Sequence, residues 1–333
     1  MVRRRGRGRP AVGRSIGMTL LAVILAGAFS LYQSCRREST DNKTPQPAPP
    51  GEIVTEGRLV VYALDVGQGD ALLVVTPQGK KVLIDAGTPQ SGDELLAALA
   101  RHGVQSLDLV VASHPHADHI GGMKKVLDRF PVKNFLDSGQ THTSVTYEKM
   151  LKAIKDKGIR FIVAKRGQTF DLDSGAKIEV LNPGEQLITE IRSGGSVLNA
   201  NSVVVRLSYG DFAMIFTGDA EFETEVEMMK RGGSLRAQVL KVGHHGSRYA
   251  TSGKFIDTVG PQAAIISCGS DNKYGHPSQV ALDRLREKNV QVYRTDLHGE
   301  IVIASDGKGF QIRPTREADV AAIWKGREPT QSE

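Results

Sequence analysis

The chain carries only two cysteines in 333 residues, Cys35 and Cys268. Cys35 stands beside an arginine pair near the start and Cys268 in an apolar run, so no intradomain disulfide is expected. Cysteine usage therefore leaves the redox compartment open. Net charge is scarce as well. The formal charge is +6, but residues 1–57 hold nine Arg and Lys against four Asp and Glu, leaving about +1 for the remainder. Overall charge thus gives no support for an electrostatic nucleic-acid surface on the folded part. No internal repeat runs along the chain, which excludes a solenoid or propeller array. Charge is missing altogether from residues 15–35, a mostly apolar run that includes Met18 to Phe29.

About 20 such residues suffice to span a bilayer as a helix. Residues 1–14 before them are basic and glycine-rich, and such flanks stay cytoplasmic, which would place the rest of the chain outside. An uncleaved signal anchor is the preferred reading. A cleaved secretory signal, with release of the protein, is the alternative. The charged start fits it, but the apolar run is long and no clean Ala-x-Ala site comes after it. Tyr32-Gln33-Ser34 is a poor approach to a lipoprotein signal ending at Cys35. Residues 36–57, with Pro45, Pro47, Pro49 and Pro50 among polar residues, read as an extended linker.

Residues 58–314 have the length and apolar content for one sizeable folded domain, with a tail at 315–333. Short Val- and Leu-rich runs broken by glycine predict strands at Leu59–Asp65, Ala71–Thr76 and Lys81–Asp85. A helix is expected over Asp93–His102 and another over 144–157. Between them, a buried strand from Leu107 leads into His114-Pro-His-Ala-Asp-His119, and an amphipathic helix begins at Met123. Three of the nine histidines and an aspartate thus share one strand-to-helix loop. Imidazole nitrogen and carboxylate oxygen suit zinc, manganese or iron. His114 and His116 can serve one ion, Asp118 and His119 a second. Downstream, strands are expected at Arg160–Val163, twice within Phe170–Leu181, and at Ser202–Tyr209, Phe212–Thr217, Val239–Val242, Ala263–Ser267, Val290–Arg294, Gly299–Ile303 and Phe310–Arg313, with helices over Ser278–Lys288 and Ala318–Lys325.

The histidine loop is the HxHxDH motif, and with it the chain resembles the metallo-β-lactamase superfamily. More narrowly it resembles the C-terminal metallo-β-lactamase-like domain of ComEC-type competence proteins. The residues that carry this are Leu64-Asp-Val-Gly-Gln-Gly-Asp70, Leu83-Ile-Asp-Ala-Gly87, Ser113 to Gly122, Phe216-Thr-Gly-Asp219, His244-His-Gly-Ser247 and Tyr274-Gly-His-Pro277. The resemblance implies a four-layer αββα sandwich whose second half rebuilds the first. It implies that Asp219 bridges two divalent metal ions, zinc or manganese, and that Asp85 supports the histidine loop from beneath without binding metal. It places the turn at Asp70 near the site, although a plain turn former is as good a reading. One of His244 and His245 is expected to complete the second metal. His244 is assigned to metal and His245 to the chemistry, with nothing in the spacing to separate them. Asp118 and Asp219 would orient the attacking water. Where the superfamily usually supplies a third histidine for the first metal, this chain has Asn199-Ala-Asn-Ser202; asparagine is a weak ligand, and Asn201 is named as a candidate for substrate contact or support of the site. Ser247 is a supporting candidate. His276, on a glycine-flanked loop before a helix, suits an anionic ligand.

The architecture fixes a reaction type, metal-assisted hydrolysis, and not a substrate. The ComEC resemblance points to a phosphodiester, and to DNA. Lys124, Lys125, Arg129, Lys241, Arg248 and Lys254 are candidate phosphate contacts. The multi-pass channel segment of full-length competence proteins is not in this sequence, so a separate channel protein enters as a candidate partner. Two other readings stand beside an exported, tethered nuclease. One is a hydrolase of another ester, thioester or lactone, such as a cell-wall ester. The other is a non-catalytic, metal-loaded module that holds DNA or a protein partner.

Overall fold

The computed structural model describes residues 53–192 and 194–330. The expected membrane or signal segment and the basic tail before it lie outside these residues, as does most of the linker. Among the described residues no helix is long and apolar enough to cross a membrane.

Among the described residues, fifteen strands form two sheets. The first sheet takes β1 (Leu59–Ala63), β2 (Leu72–Val75), β3 (Lys81–Ile84), β4 (Leu107–Ala112), β5 (Val132–Asp137) and β6 (Arg160–Val163) in sequence order. The second takes β7 (Thr169–Asp171), β8 (Lys177–Asn182), β9 (Val204–Tyr209), β10 (Phe212–Phe216), β11 (Val239–Lys241), β12 (Ala263–Ile266) and β13 (Gln291–Arg294). The chain then returns to the first sheet, where β14 (Ile301–Ser305) pairs with β1 and β15 (Phe310–Pro314) forms the edge. Each half repeats one plan. Antiparallel strands come first, and the last three pairings, β3 to β6 and β10 to β13, are parallel.

The strand sequences explain the layering. Along β10, Phe212, Met214 and Phe216 enter the core between the sheets while Ala213 and Ile215 point to the outer face. In β4, Leu109 and Val111 face inward and Leu107, Val110 and Ala112 outward. Strands buried on both faces read as continuous apolar runs, as these do. Helices cover the outer faces. α1 (Gly92–Arg101), α2 (Met123–Arg129) and α3 (Val145–Asp156) contribute Leu95, Leu99, Val126, Leu127, Met150 and Ile154 against the first sheet. On the second sheet α4 (Phe222–Arg231) and α5 (Gly253–Val259) contribute Met228, Phe255 and Val259, and α6 (Gln279–Glu287) contributes Leu282 and Leu285. The result is an αββα sandwich. Serine hydroxyls start α3, α5 and α6. Ser144, Ser252 and Ser278 each accept a hydrogen bond from the backbone N–H three residues on, satisfying a donor that the helix leaves open.

Four features differ from the sequence reading. β5, α4 and α5 have no counterpart in it. α4 was hidden because its buried face is partly polar. Glu225 is 2% exposed, and its carboxylate accepts from the backbone of Thr251 (2.5 Å) and Ser252 (3.0 Å) at the start of α5. The expected tail helix is a single turn, Val320–Ile323.

The two sheets are also joined by a buried ion pair. Lys241, the last residue of β11, lies 2.8 Å from Asp70 in the turn before β2, and both are sealed from solvent. Lys241 is therefore not a surface cation available to phosphate. Lys124 and Lys125 are engaged as well, with Asp128 at 2.5 Å and Asp93 at 2.7 Å. Removing one partner of a buried pair strands the other charge, at a cost of about 3–5 kcal/mol. Lys241→Met should lower stability by that order in urea denaturation. Asp70→Asn added to it should recover most of the loss; a double variant no better than the single one would refute the pairing.

Asp137 closes β5 at 2% exposure. Burial outweighs the Gly139 N–H that it accepts (2.7 Å) and pushes its carboxyl up to about 6. The fold thus favours the protonated form. That contribution is complete below the ordinary carboxyl value near 4 and is lost as pH rises through about 6. Asp137→Asn should accordingly stabilise the protein at pH 8 by about 1–3 kcal/mol and have little effect at pH 4. Thermal melts of both proteins across that range check it; parallel curves would contradict it.

Candidate metal centre

The site lies where strands of both sheets end. Asp85 comes after β3, His114 to His119 after β4, Asp219 after β10, and His244 and His245 after β11. Loops beyond the carboxyl ends of parallel strands are where α/β sheets place ligands. Tight backbone brings the loops together. A Cβ on Gly69 (φ +127°) would collide with the Asp118 carbonyl oxygen, so only glycine lets the first turn meet the histidine loop. Asp85, His244 and His245 themselves take left-handed φ of 59°, 47° and 52°. Side-chain-bearing residues hold such φ only where the surroundings enforce it, and functional sites are where this gathers.

The donors fall into two groups that share Asp219. Its Oδ1 is 3.2 Å from His119 Nε2 and 3.5 Å from His245 Nε2. Its Oδ2 is 3.7 Å from both His114 Nε2 and His244 Nε2. Asp118 joins the first group, with Oδ2 3.2 Å from His245 Nε2. His116 joins the second, its Nδ1 2.9 Å from His114 Nε2. Donor atoms within 4.8 Å of one another are supplied by Asp118, His119, Asp219 and His245 on one side and by His114, His116 and Asp219 on the other. Among the described residues, His119 Nε2, His245 Nε2 and Asp219 Oδ1 are buried with no hydrogen-bond partner. Buried polar atoms are ordinarily satisfied. A divalent cation would satisfy all three, so the residues fit the metal that the motif implies.

The outward nitrogens are fixed by the protein. His119 Nδ1 is 2.9 Å from Asp85 Oδ2, whose other oxygen accepts from Ser113 N at 2.7 Å. His245 Nδ1 is 2.9 Å from the Ser267 carbonyl, and His244 Nδ1 3.0 Å from Glu221 Oε1. His114 Nδ1 meets Ser113 Oγ at 3.0 Å. Such partners set imidazole tautomer and ring direction.

Charge differs across the site. Burial would push His119 down, but the carboxylates of Asp219, Asp118 and Asp85 outweigh it and hold the ring well above the ordinary imidazole range. For His245, burial is likewise outweighed, by Asp219, Asp118 and Asp70, and the ring is carried up to about 10. Burial and His119 keep His114 well below that range. Burial, with His244 and His245 nearby, lowers His276 to about 3.

Several placements differ from the sequence reading. His245, assigned to the chemistry, sits with Asp118 and His119, while His244, assigned to the second metal, stands on the His114 side. Asn201 turns away, its amide spent on Ile188 and the Val197 carbonyl. Asn199 lines the site instead, donating to Glu221 Oε1 at 3.1 Å. With two asparagines two residues apart, nothing local distinguishes one from the other. Glu221, 0% exposed, went unnoticed two residues after Asp219. Ser247 is buried in the turn, where its hydroxyl accepts from Tyr249 N. His142 is half-buried, its ring centroid 6.4 Å from that of His116.

Above the donors opens a pocket of about 670 Å³, lined by His116, Asp118, Asn199, Asp219, His244, His245 and the loop Asp271 to His276, with Gln68 and Thr88 to Gln90 opposite. That loop is pinned from two sides. Asn272 donates to the carbonyls of Gly269 (2.8 Å) and His276 (2.6 Å) and accepts from His276 N (2.9 Å). The segment 326–330 then straps it. Arg327 donates to the Ser270 carbonyl at 2.6 Å and to Asp296 at 2.5 Å, and Thr330 N to the Lys273 carbonyl at 3.0 Å.

A family model described as the metallo-beta-lactamase superfamily matches residues 64–270. ComE operon protein 3 of Bacillus subtilis (strain 168) is 34% identical over 258 residues, 72% of this chain and 32% of that protein. Competence protein ComA of Neisseria gonorrhoeae is 31% identical over 290 residues, 86% of this chain and 36% of that protein. The chain thus spans about a third of the length of these curated relatives. Among solved structures, Igni18, a metallo hydrolase from Ignicoccus hospitalis, aligns at 16% identity with a TM-score of 0.48, over 73% of this chain and 98% of that one. The family match takes in β2 to β12, the histidine loop and Asp219, and the chain belongs to the metallo-β-lactamase superfamily, whose hydrolase fold it carries.

Proposed function

We propose that this domain is a metal-dependent phosphodiesterase acting on DNA, held outside the cytoplasm by residues 15–35. One observation carries the hydrolytic part of this reading: the two oxygens of Asp219 face two separate donor groups at the floor of one open pocket. A single carboxylate so placed suits a pair of cations. Asp118, His119, His245 and Asp219 would hold one, and His114, His116, His244 and Asp219 the other, with Asn199 beside them. When bound, such cations supply Lewis acidity at an ester or phosphoryl group and acidify water. The protein's own part is rigidity. Asp85, Ser267 and Glu221 hold three imidazoles in one orientation, so little rearrangement is needed as charge develops. The choice of DNA rests on similarity to the two competence proteins. The placing outside rests on the uncharged run after a basic start.

Full-length protein stripped of metal and reloaded with manganese or zinc should cleave DNA, and Asp219→Asn should cut that rate by about 100-fold or more. Metal-loaded protein that leaves both single- and double-stranded DNA intact would defeat the nuclease reading. Glu221→Ala should weaken metal affinity about 10- to 100-fold, read by competition with a chromogenic chelator, because His244 loses the partner that orients it. Unchanged affinity would remove His244 from the metal site.

A further inference from the structure

On the reading of this domain as a phosphodiesterase, the pocket wall indicates which form of nucleic acid it takes. We infer that Tyr274 is a stacking platform for a nucleobase, so that the strand entering the pocket is single-stranded beside the scissile phosphate.

Tyr274 is a large aromatic side chain left 43% exposed, and it lines the pocket that holds Asp118, Asp219 and the paired histidines. One face of its ring is spoken for. The His276 imidazole lies nearly parallel to it, at 25° with centroids 5.9 Å apart. The Lys273 ammonium stands over the ring, 5.5 Å from its centroid. Lys273 is exposed, so a base stacking on Tyr274 takes the place of a flexible side chain, which then meets the phosphate flanking that base. Asp271 also lines the pocket, so the loop as a whole is not a basic patch. Its distinguishing chemistry is an aromatic plane with one cation beside it. Bases have π-faces whatever their sequence, and aromatic planes with cations are how single strands are held without sequence preference. In a duplex the bases are stacked on each other and their faces are not available. The platform is also fixed before any ligand arrives, since Asn272 and the strap at 326–330 hold the loop backbone. Stacking on a preformed surface avoids the ordering cost of a mobile loop.

The test uses the full chain with Tyr274→Ala and Tyr274→Phe. Binding is read by fluorescence anisotropy with a hydrolysis-resistant phosphorothioate oligothymidine and with an abasic strand of the same length and linkage. The wild-type protein should prefer the base-bearing strand by about tenfold. Tyr274→Ala should erase that preference, and Tyr274→Phe should keep it. In turnover, Tyr274→Ala should raise KM for single-stranded DNA by about the same factor and leave kcat within about twofold. Equal binding of the two strands by the wild-type protein would overturn the inference. So would a Tyr274→Ala variant that loses kcat but still tells the strands apart. Base preference that depends on Tyr274 in a protein that cleaves no DNA would uphold the platform and defeat the phosphodiesterase reading alone.

Discussion

Four carboxylates, Asp70, Asp85, Asp219 and Glu221, are each no more than 2% exposed around one pocket floor. Burying a charge is costly unless a partner meets it. For three of them the protein supplies that partner. Lys241 meets Asp70, His119 and the Ser113 N–H meet Asp85, and His244, Asn199 and the Ser196 N–H meet Glu221. Asp219 is met by the site's own imidazoles. Its Oδ1 has no hydrogen-bond partner among the described residues, and it faces imidazole nitrogens that are themselves unsatisfied. Asp219 thus points an unpaired oxygen at imidazole nitrogens that a cation would share with it, and this suits the centre to cations.

The same balance explains why the two sheets must meet as they do. Asp85 and the histidine loop come from the first sheet, and Asp219, Glu221 and the His244–His245 turn from the second. Neither half can assemble the donor set alone. The apolar core between the sheets, from Val61 and Val111 on one side to Met214 and Phe216 on the other, brings the two loop sets into register. Lys241 and Asp70 then lock the seam with a charged contact directly beneath it, Asp70 Oδ1 lying 3.4 Å from His245 Nδ1. Hydrophobic burial supplies most of the driving force and the polar contacts supply alignment.

The sequence made part of this legible. The histidine loop is local, its donors lie within six residues, and the strand before it has an unmistakable apolar run. Strands such as Arg160–Val163 and Phe212–Phe216 were visible from composition and glycine punctuation. The missed features all depend on distant partners. Glu221 and Asn199 become informative only when His244 folds against them. Lys241 looked like a surface cation beside two histidines because its counter-charge lies 171 positions away in the chain. Which donor group His244 and His245 each face follows from two consecutive left-handed residues, a backbone choice that side-chain identity does not announce. α4 hid behind Glu225, a core-facing acid whose partners are backbone groups of another helix's start.

The strap at 326–330 has a consequence for how such a protein can change. The family match stops at residue 270, one position before the loop that carries Lys273, Tyr274 and His276. That loop takes its position from residues more than fifty places further on, through Arg327 and Thr330. The hydrolytic floor and the wall above it therefore take their shape from different stretches of the chain. An exchange of a few residues near position 327 would reset the shape of the wall and leave the donor set below it in place.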